Sequence, residues 1–348
     1  MTNLIVTFCN EKNIGAMLQS YALQETLTKY GQTYLLNYDL KNVNTKLSRK
    51  IKDNLLKITD MYFYSGYRSF AKKYYNLTKK VKNLKEISKE VKKYTNVICG
   101  SDQVWNEEIV GYQRNIYMLD FDINNKISYA ASIGREKISD EEKKHLSILK
   151  DFDSISVREE SAKHILENIG ISNVNVTLDP TLLLSKEQWD KLIEQNKFSN
   201  YIFVYCLEMN DKLINSMEII SKRLNKKLIC YYKKSILKKN PLIPNCLFLK
   251  RLSPTQFLSM IKYSDFVITN SFHGTVFSII FEKKFIVIPH ATRGIRQINL
   301  LEKLGLLDRM DINNINNIDY SSVNKILLNE RQKSLRFLSQ SLKVGINE

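Results

Sequence analysis

Short apolar runs alternate with helical stretches in two successive blocks, which predicts an α/β protein of two Rossmann-like domains facing a cleft. Three observations carry this expectation. At 348 residues the chain exceeds what one hydrophobic core usually supports. Its strand-like and helix-like segments are interleaved along the whole length rather than segregated. Polar loops rich in small residues follow the carboxyl ends of several strands, where ligands bind in such folds.

The first block opens with a buried strand at 4–8, a polar turn, and a helical pattern from Ile14 to about Tyr30 that stops at Gly31. A second strand is expected at 33–38, so the chain begins as a strand–helix–strand unit. Further strands follow at 96–99, 126–133, 154–157 and 174–178, with a helix at 140–149 and another after Arg158. The second block has strands at 201–207, 228–232, 265–269 and 285–289, with helices at 212–224, 254–263 and 275–281. A long polar-faced helix at 321–342 closes the chain. These elements set an N-terminal domain at 1–190, a C-terminal domain at 191–320, and a terminal helical segment at 321–348.

Apolar residues make up 43% of the chain and aromatics 10%, enough for folded cores, which excludes general disorder. The cysteines Cys9, Cys99, Cys206, Cys230 and Cys246 form no C-x-x-C pair and sit mostly in apolar runs, as reduced, buried thiols do. The apolar start of the chain is too short for a signal peptide, and no run approaches the ~20 residues of a membrane span. A cytoplasmic protein is expected, peripheral to the inner membrane face if it meets the membrane at all.

The net charge is +17. Much of it comes from residues 41–95, a segment of helical composition with sixteen Lys and Arg against four Asp and Glu. Tyr62, Phe63, Tyr64, Tyr67, Phe70, Tyr74 and Tyr75 are interleaved there with Arg68, Lys72 and Lys73. A basic and aromatic surface suits an anionic membrane, where rings sit at headgroup level and cations meet phosphates. The alternative is a solvated lysine face with its aromatics packed inward.

The loops after strands hold the chemistry. Ser271-Phe-His273-Gly274 lies between a strand and a helix, where a helix start, a close-approaching glycine and a histidine suit an anion and a proton transfer. The alternative for His273 is a histidine that merely caps the helix. Asn13, Gly15 and Gln19 follow the first strand. Ser101, Asp102 and Trp105 follow the strand at 96–99 and offer hydroxyl, carboxylate and indole groups suited to a sugar, or else a turn packed on a core tryptophan. Arg158 follows another strand and is placed to clamp a carboxylate or phosphate, or to pair with Glu159 or Glu160. Arg293 and Arg296 would add charge for an anionic ligand. No phosphate loop, dinucleotide fingerprint, zinc spacing or nucleophile elbow is present in the sequence. No metal site is expected.

In collinear order, NIGAMLQSYALQ (13–24), ICGSDQVWN (98–106), KISYAASIG (126–134), ISVREESA (155–162), LDPTLLL (178–184) and ITNSFHGTVFSIIF (268–281) resemble the polysaccharide pyruvyl transferase family. So does RGIRQINLLEKLGLLDR (293–309). The resemblance implies a fold similar to the glycosyltransferase-B type, with a C-terminal helix crossing back to the first domain. It also implies phosphoenolpyruvate as donor in the C-terminal domain and a sugar, or lipid-linked oligosaccharide, met by the N-terminal one. The family's histidine–glycine pair maps to His273 and Gly274, and a family arginine linked to the donor maps to Arg158. Several members carry an arginine two residues before the histidine. This chain has Ser271 there, and Arg293 or Arg296 would supply the charge.

On this reading His273 is catalytic. Arg158, Ser271, Gly274, Arg293 and Arg296 bind the donor, and Asn13, Gly15, Gln19, Ser101, Asp102 and Trp105 bind the acceptor. Phosphoenolpyruvate is a co-substrate, and no cofactor and no nucleic acid are expected. A glycosyltransferase using a nucleotide-sugar donor is the closest alternative. A non-catalytic, polyanion-binding protein is the second.

Overall fold

The computed structural model describes residues 1–10, 12–38, 64–232, 240–289 and 294–344. Residues 39–63, within the basic segment, and 290–293, including Arg293, lie outside the described residues. The chain divides into two compact units, Met1–Leu184 with Asn329–Glu348, and Ser185–Leu328.

The first unit is built on six strands: β1 (Thr2–Val6), β2 (Gln32–Leu35), β3 (Asn96–Cys99), β4 (Lys126–Ala131), β5 (Ser154–Val157) and β6 (Val174–Val176). All pair in parallel, in the order β2-β1-β3-β4-β5-β6. Parallel sheets are covered on both faces, so their strands read as near-continuous apolar runs. Leu4, Ile5 and Val6 in β1 and Val97, Ile98 and Cys99 in β3 are all buried. The chain leaves β1 toward β2 on one side and returns on the other side as β3. The loops after β1 and β3 therefore diverge and leave a crevice between them.

A row of buried amides crosses the amino ends of these strands. Asn3 Nδ2 donates to Thr33 Oγ1 at 3.2 Å, Asn96 Nδ2 to Asn3 Oδ1 at 2.8 Å, and Asn125 Nδ2 to Asn96 Oδ1 at 2.6 Å. Asn125 Nδ2 also reaches the Ser341 carbonyl at 3.2 Å, at the end of the long helix Tyr320–Ser341. The same helix is tied by Ser334 Oγ, which accepts from Leu178 N at 3.0 Å, and by Arg331 Nε, which donates to the Leu182 carbonyl at 2.8 Å.

Beyond β2 the backbone of residues 76–81 continues the sheet. Leu35 N donates to Asn76 O, Thr78 N to Leu35 O, and Val81 N to Asn37 O, at 2.8–3.0 Å. The helix Ser65–Tyr74 precedes this segment. Its aromatic residues turn inward: Phe70 and Tyr74 meet Tyr21 of the helix Ile14–Leu27 edge to face, and Tyr75 Oη donates to the Met17 carbonyl at 2.7 Å. Tyr67, Phe70 and Tyr75 are buried, whereas Arg68, Lys72 and Lys73 are exposed. The mixed basic and aromatic surface expected from the sequence is thus, among the described residues, basic outside and aromatic inside. Tyr62 and Phe63 lie outside the described residues.

The second unit has five strands, β7 (Tyr201–Cys206), β8 (Lys227–Tyr232), β9 (Cys246–Phe248), β10 (Phe266–Thr269) and β11 (Phe285–Val287). They pair in parallel in the order β11-β10-β7-β8-β9, so the reversal falls between β7 and β10. Every strand expected from the sequence is present, and β9 is an addition. Three residues long and set in a lysine- and proline-rich stretch, it lacks the length that makes a strand visible in sequence. The helix expected from 275 begins at Phe272, because Ser271 caps it and draws the preceding residues into its first turn. Among the described residues no helix is long and apolar enough to cross a membrane.

The amide row predicts the effect of Asn96→Ala. Asn3 Oδ1 and one Asn125 proton lose their partner in a buried setting, and leaving a buried polar group unsatisfied costs about 1–3 kcal/mol each. Urea unfolding is expected to show a loss of about 3 kcal/mol, whereas Thr95→Ala beside it, on the exposed rim, changes stability by less than about 1 kcal/mol.

Candidate functional site

In the first unit, the crevice between the β1 and β3 loops brings several candidates together. Ser101 Oγ donates to the Ala130 carbonyl at 2.9 Å and accepts from Arg158 Nη2 at 2.7 Å. Arg158 Nη2 stands 3.1 Å from Asp179 Oδ2 and 3.9 Å from Asp102 Oδ1. The arginine side chain is 3% exposed and that of Asp179 is fully buried. Desolvating both charges is costly, and each holds the other in place only because the pair is hydrogen-bonded on several sides. Asp179 Oδ1 also accepts from Thr181 N at 3.0 Å, so the pair fixes the turn after β6 as well.

Glu159 and Glu160 were the alternative partners for Arg158, and the buried carboxylate that faces it is Asp179. Glu159 turns to the neighbouring loop, where Oε1 accepts from Ser132 Oγ, Ile133 N and Gly134 N at 2.8–3.1 Å. Arg158 also belongs to the first unit and not to the unit that holds His273. The structure groups it with Ser101 and Asp102, two of the acceptor candidates.

Those acceptor candidates divide. Asn13 caps the helix Ile14–Leu27 and accepts from Gly15 N and Ala16 N. Gly15 lies in the first helical turn, where its amide takes that cap at 3.0 Å. Gln19 is fully buried and braces the two loops: its Nε2 donates to Thr7 Oγ1 at 3.0 Å, and Thr7 Oγ1 donates to the Ser101 carbonyl at 2.8 Å. Trp105 is 1% exposed, with Nε1 donating to the Tyr117 carbonyl at 3.2 Å and its ring edge-on to Phe152. It is the core tryptophan of the turn and shows no face to a sugar. Asp102 is different. Its φ of +82° is a conformation that is uncommon for a non-glycine residue, and its side chain is 12% exposed, against 3% for Arg158.

In the second unit, the crevice lies between the loops after β7 and β10. Asn270 ties them: its Oδ1 accepts from Leu207 N at 2.8 Å and its Nδ2 donates to the Glu208 carbonyl at 2.7 Å. Ser271 is the helix cap and accepts from Gly274 N at 3.4 Å. Thr269 Oγ1 donates to the Tyr205 carbonyl at 2.7 Å and accepts from Ser271 N at 3.0 Å. A Cβ on Gly274 would stand 2.2 Å from that same oxygen, so the helix approaches the strand through glycine. His273, in the first turn, is 6% exposed. Its ring meets Phe272 edge to face at 5.3 Å, and the Arg296 guanidinium lies 5.5 Å from the Phe272 ring centre. A cation over an aromatic face is held there electrostatically. Gln297, in the helix Ile295–Lys303, anchors this arrangement by donating to Thr275 Oγ1 at 3.2 Å.

The structure thus joins Ser271, His273, Gly274 and Arg296 in one cluster, at the positive end of a helix dipole. Such a group can hold an anion beside an imidazole. Arg293 lies outside the described residues. Sequence reasoning missed Asp179, Glu159, Asn270, Thr269 and Gln297. Asp179 and Asn270 stand inside motifs already noted, LDPTLLL and ITNSFHG, but their partners are distant in sequence.

The model of the polysaccharide pyruvyl transferase family matches residues 13–292. The chain belongs to that family. No curated protein matches the sequence. Among solved structures, a UDP-N-acetylglucosamine 2-epimerase from Rickettsia bellii is similar with a TM-score of 0.53 at 13% identity, over 98% of this chain and 96% of that one. The UDP-GlcNAc 2-epimerase of Methanocaldococcus jannaschii, in complex with UDP-GlcNAc and UDP, gives 0.53 at 15% identity over 99% of both chains. Arabidopsis thaliana UGT89C1 gives 0.55 at 9% identity, over 98% of this chain and 99% of its own. At such identities the likeness concerns the fold alone, which is that of the glycosyltransferase-B enzymes. The family match makes the chain a pyruvyl transferase of the polysaccharide type, and a sugar or polysaccharide is its acceptor.

Two substitutions probe this family member's two crevices. Gly274→Ala forces the helix away from Thr269 and is expected to cost about 1–3 kcal/mol in urea unfolding, as overpacked sites do. Asp179→Asn keeps the cap on Thr181 but removes the charge facing buried Arg158. A loss of about 3 kcal/mol is expected, partly recovered in the double variant Arg158→Met/Asp179→Asn, which removes the unpaired buried charge and keeps the cap on Thr181.

Proposed function

We propose that the protein transfers the pyruvyl group of phosphoenolpyruvate to a sugar of a bacterial surface polysaccharide or its lipid-linked precursor, forming a cyclic pyruvate ketal. The family match over residues 13–292 carries the reading. The cluster around His273 supports it with the groups the donor requires.

Phosphoenolpyruvate carries a carboxylate, a phosphate and an electron-rich methylene carbon. His273 acts as general acid and gives a proton to that carbon, so positive charge develops at the adjacent carbon bonded to oxygen. A sugar hydroxyl adds there and phosphate leaves. A second hydroxyl of the same sugar closes the ring. Of the two hydroxyl protons released, one replaces the proton lost by His273 and the other leaves with phosphate. Arg296, Ser271 and the helix start at Gly274 hold the donor's anionic groups, with Arg293 as a further cation. Asp102 and Asn13, with side-chain atoms at the first unit's crevice, receive the acceptor, while Gln19, Ser101 and Trp105 hold the loops that present them. No cofactor takes part in these steps. The nucleotide-sugar reading has only the shared fold in its favour.

Titration calorimetry with phosphoenolpyruvate, and with uridine diphosphate in parallel, tests the donor directly. Phosphoenolpyruvate is expected to bind the wild type and to bind Arg296→Ala at least about tenfold more weakly, as loss of a charge-assisted contact implies. A response to uridine diphosphate alone would turn the assignment to a glycosyltransferase. Loss of phosphoenolpyruvate binding in Arg158→Lys would assign that arginine to the donor, and unchanged binding would assign it to the acceptor loop. His273→Gln is expected to retain donor binding while phosphate release in the presence of acceptor falls about 100-fold or more.

A further inference from the structure

Residues 76–81 lie along the β2 side of the first unit's sheet, and between 76 and 89 five of the nine exposed residues are lysines, against one carboxylate, Glu86. Lys79 and Lys80 stand on the segment that extends the sheet, and Lys82 leads into the helix Leu84–Val91. Ile87, Glu90 and Val91 face inward, while Lys85 and Lys89 are exposed. Lys85 and Lys89, four residues apart in this helix, share one face, and Lys82 precedes its cap Asn83. The carboxylate in this stripe, Glu86, is occupied: it accepts from Lys82 N at 2.8 Å and from Asn83 Nδ2 at 2.7 Å, which fixes the helix start. Farther along, Lys92 pairs with Asp122 and Lys93 with Glu90.

One apolar side chain interrupts it. Leu84, the first residue of the helix, is 50% exposed between Lys82 and Lys85. A cationic stripe alone fits any polyanion. A leucine held outward in its middle adds an apolar contact that hydrated phosphates of a nucleic acid do not reward but acyl chains beneath a headgroup layer do. Residues 76–81 pair with the edge of β2, and Lys79 and Lys80 are exposed on that segment, where edge lysines discourage strand addition. None of these residues belongs to the two crevices.

We propose that Lys79, Lys80, Lys82, Leu84, Lys85 and Lys89 form a docking surface for an anionic phospholipid bilayer. The lysines meet headgroup phosphates and Leu84 enters the interfacial layer. The attachment is reversible and weakens with salt, because exposed charges are screened within about 8 Å at physiological ionic strength. The proposal does not depend on the identity of the donor.

Vesicle co-sedimentation of the full chain tests it, with phosphatidylcholine vesicles containing or lacking about one-third phosphatidylglycerol. Binding to the anionic vesicles only, falling as salt is raised, is the expected result. Lys80→Glu, Lys82→Glu, Lys85→Glu and Lys89→Glu combined should weaken partitioning by about 100-fold or more. Reversal of Lys137, Lys144, Lys212 and Lys222, exposed elsewhere, should weaken it far less. Leu84→Ser should lower partitioning several-fold with the salt dependence unchanged. Thermal melts show whether each variant is folded, and exposed lysines are not expected to alter them. Equal binding to both vesicle types, equal losses in the two charge-reversal sets, or a duplex oligonucleotide stripping the protein from vesicles at equal phosphate would each overturn the proposal.

Discussion

The point at which each parallel sheet reverses its strand order is the constraint on which the rest of the structure depends. Strands on either side of a reversal send their chains to opposite flanks, so no connection can fill the space above them. In the first unit the reversal separates β1 from β3, and in the second β7 from β10. Each crevice is then closed underneath by side chains that reach across the split. Thr7 and Gln19 do this in one unit, and Asn270 in the other. The chemistry-bearing residues are displayed on loops that the sheet itself has parted and that buried hydrogen bonds have made rigid.

Charge is handled differently in the two crevices. The first contains an arginine already committed to a buried aspartate, so its positive potential is partly spent on holding Ser101 and the turn at Thr181. The second has a cation stacked on an aromatic ring beside an imidazole and a helix start.

Much of the architecture was legible in the sequence because parallel strands buried on both faces leave uninterrupted apolar runs, as at 201–206 and 266–269. The loops were legible because small and polar residues must follow such runs. Strand β9 was not, since three residues carry no period. For Trp105 both a sugar platform and a core role stood open, and Gln19 was read toward the ligand, because both residue types suit ligands and bracing equally and only burial separates the two. Asp179, Glu159 and Asn270 were passed over because an acidic or amide side chain gains its meaning from a partner that sequence does not place beside it. The inward turn of Phe70 and Tyr75 was likewise decided by Met17 and Tyr21, some fifty residues earlier.

The contact between Thr269 and Gly274 has a consequence for how the imidazole can move. Thr269 is part of β10, its hydroxyl is clasped by the neighbouring strand, and the helix rests on it with no side chain between. His273 is one residue from that contact. Its position is therefore inherited from the sheet. Variation among relatives in the surrounding loops would change what is brought to the imidazole while leaving the imidazole as a fixed origin. A fold arranged in this way can change the loops around the helix start while His273 keeps its place on the sheet.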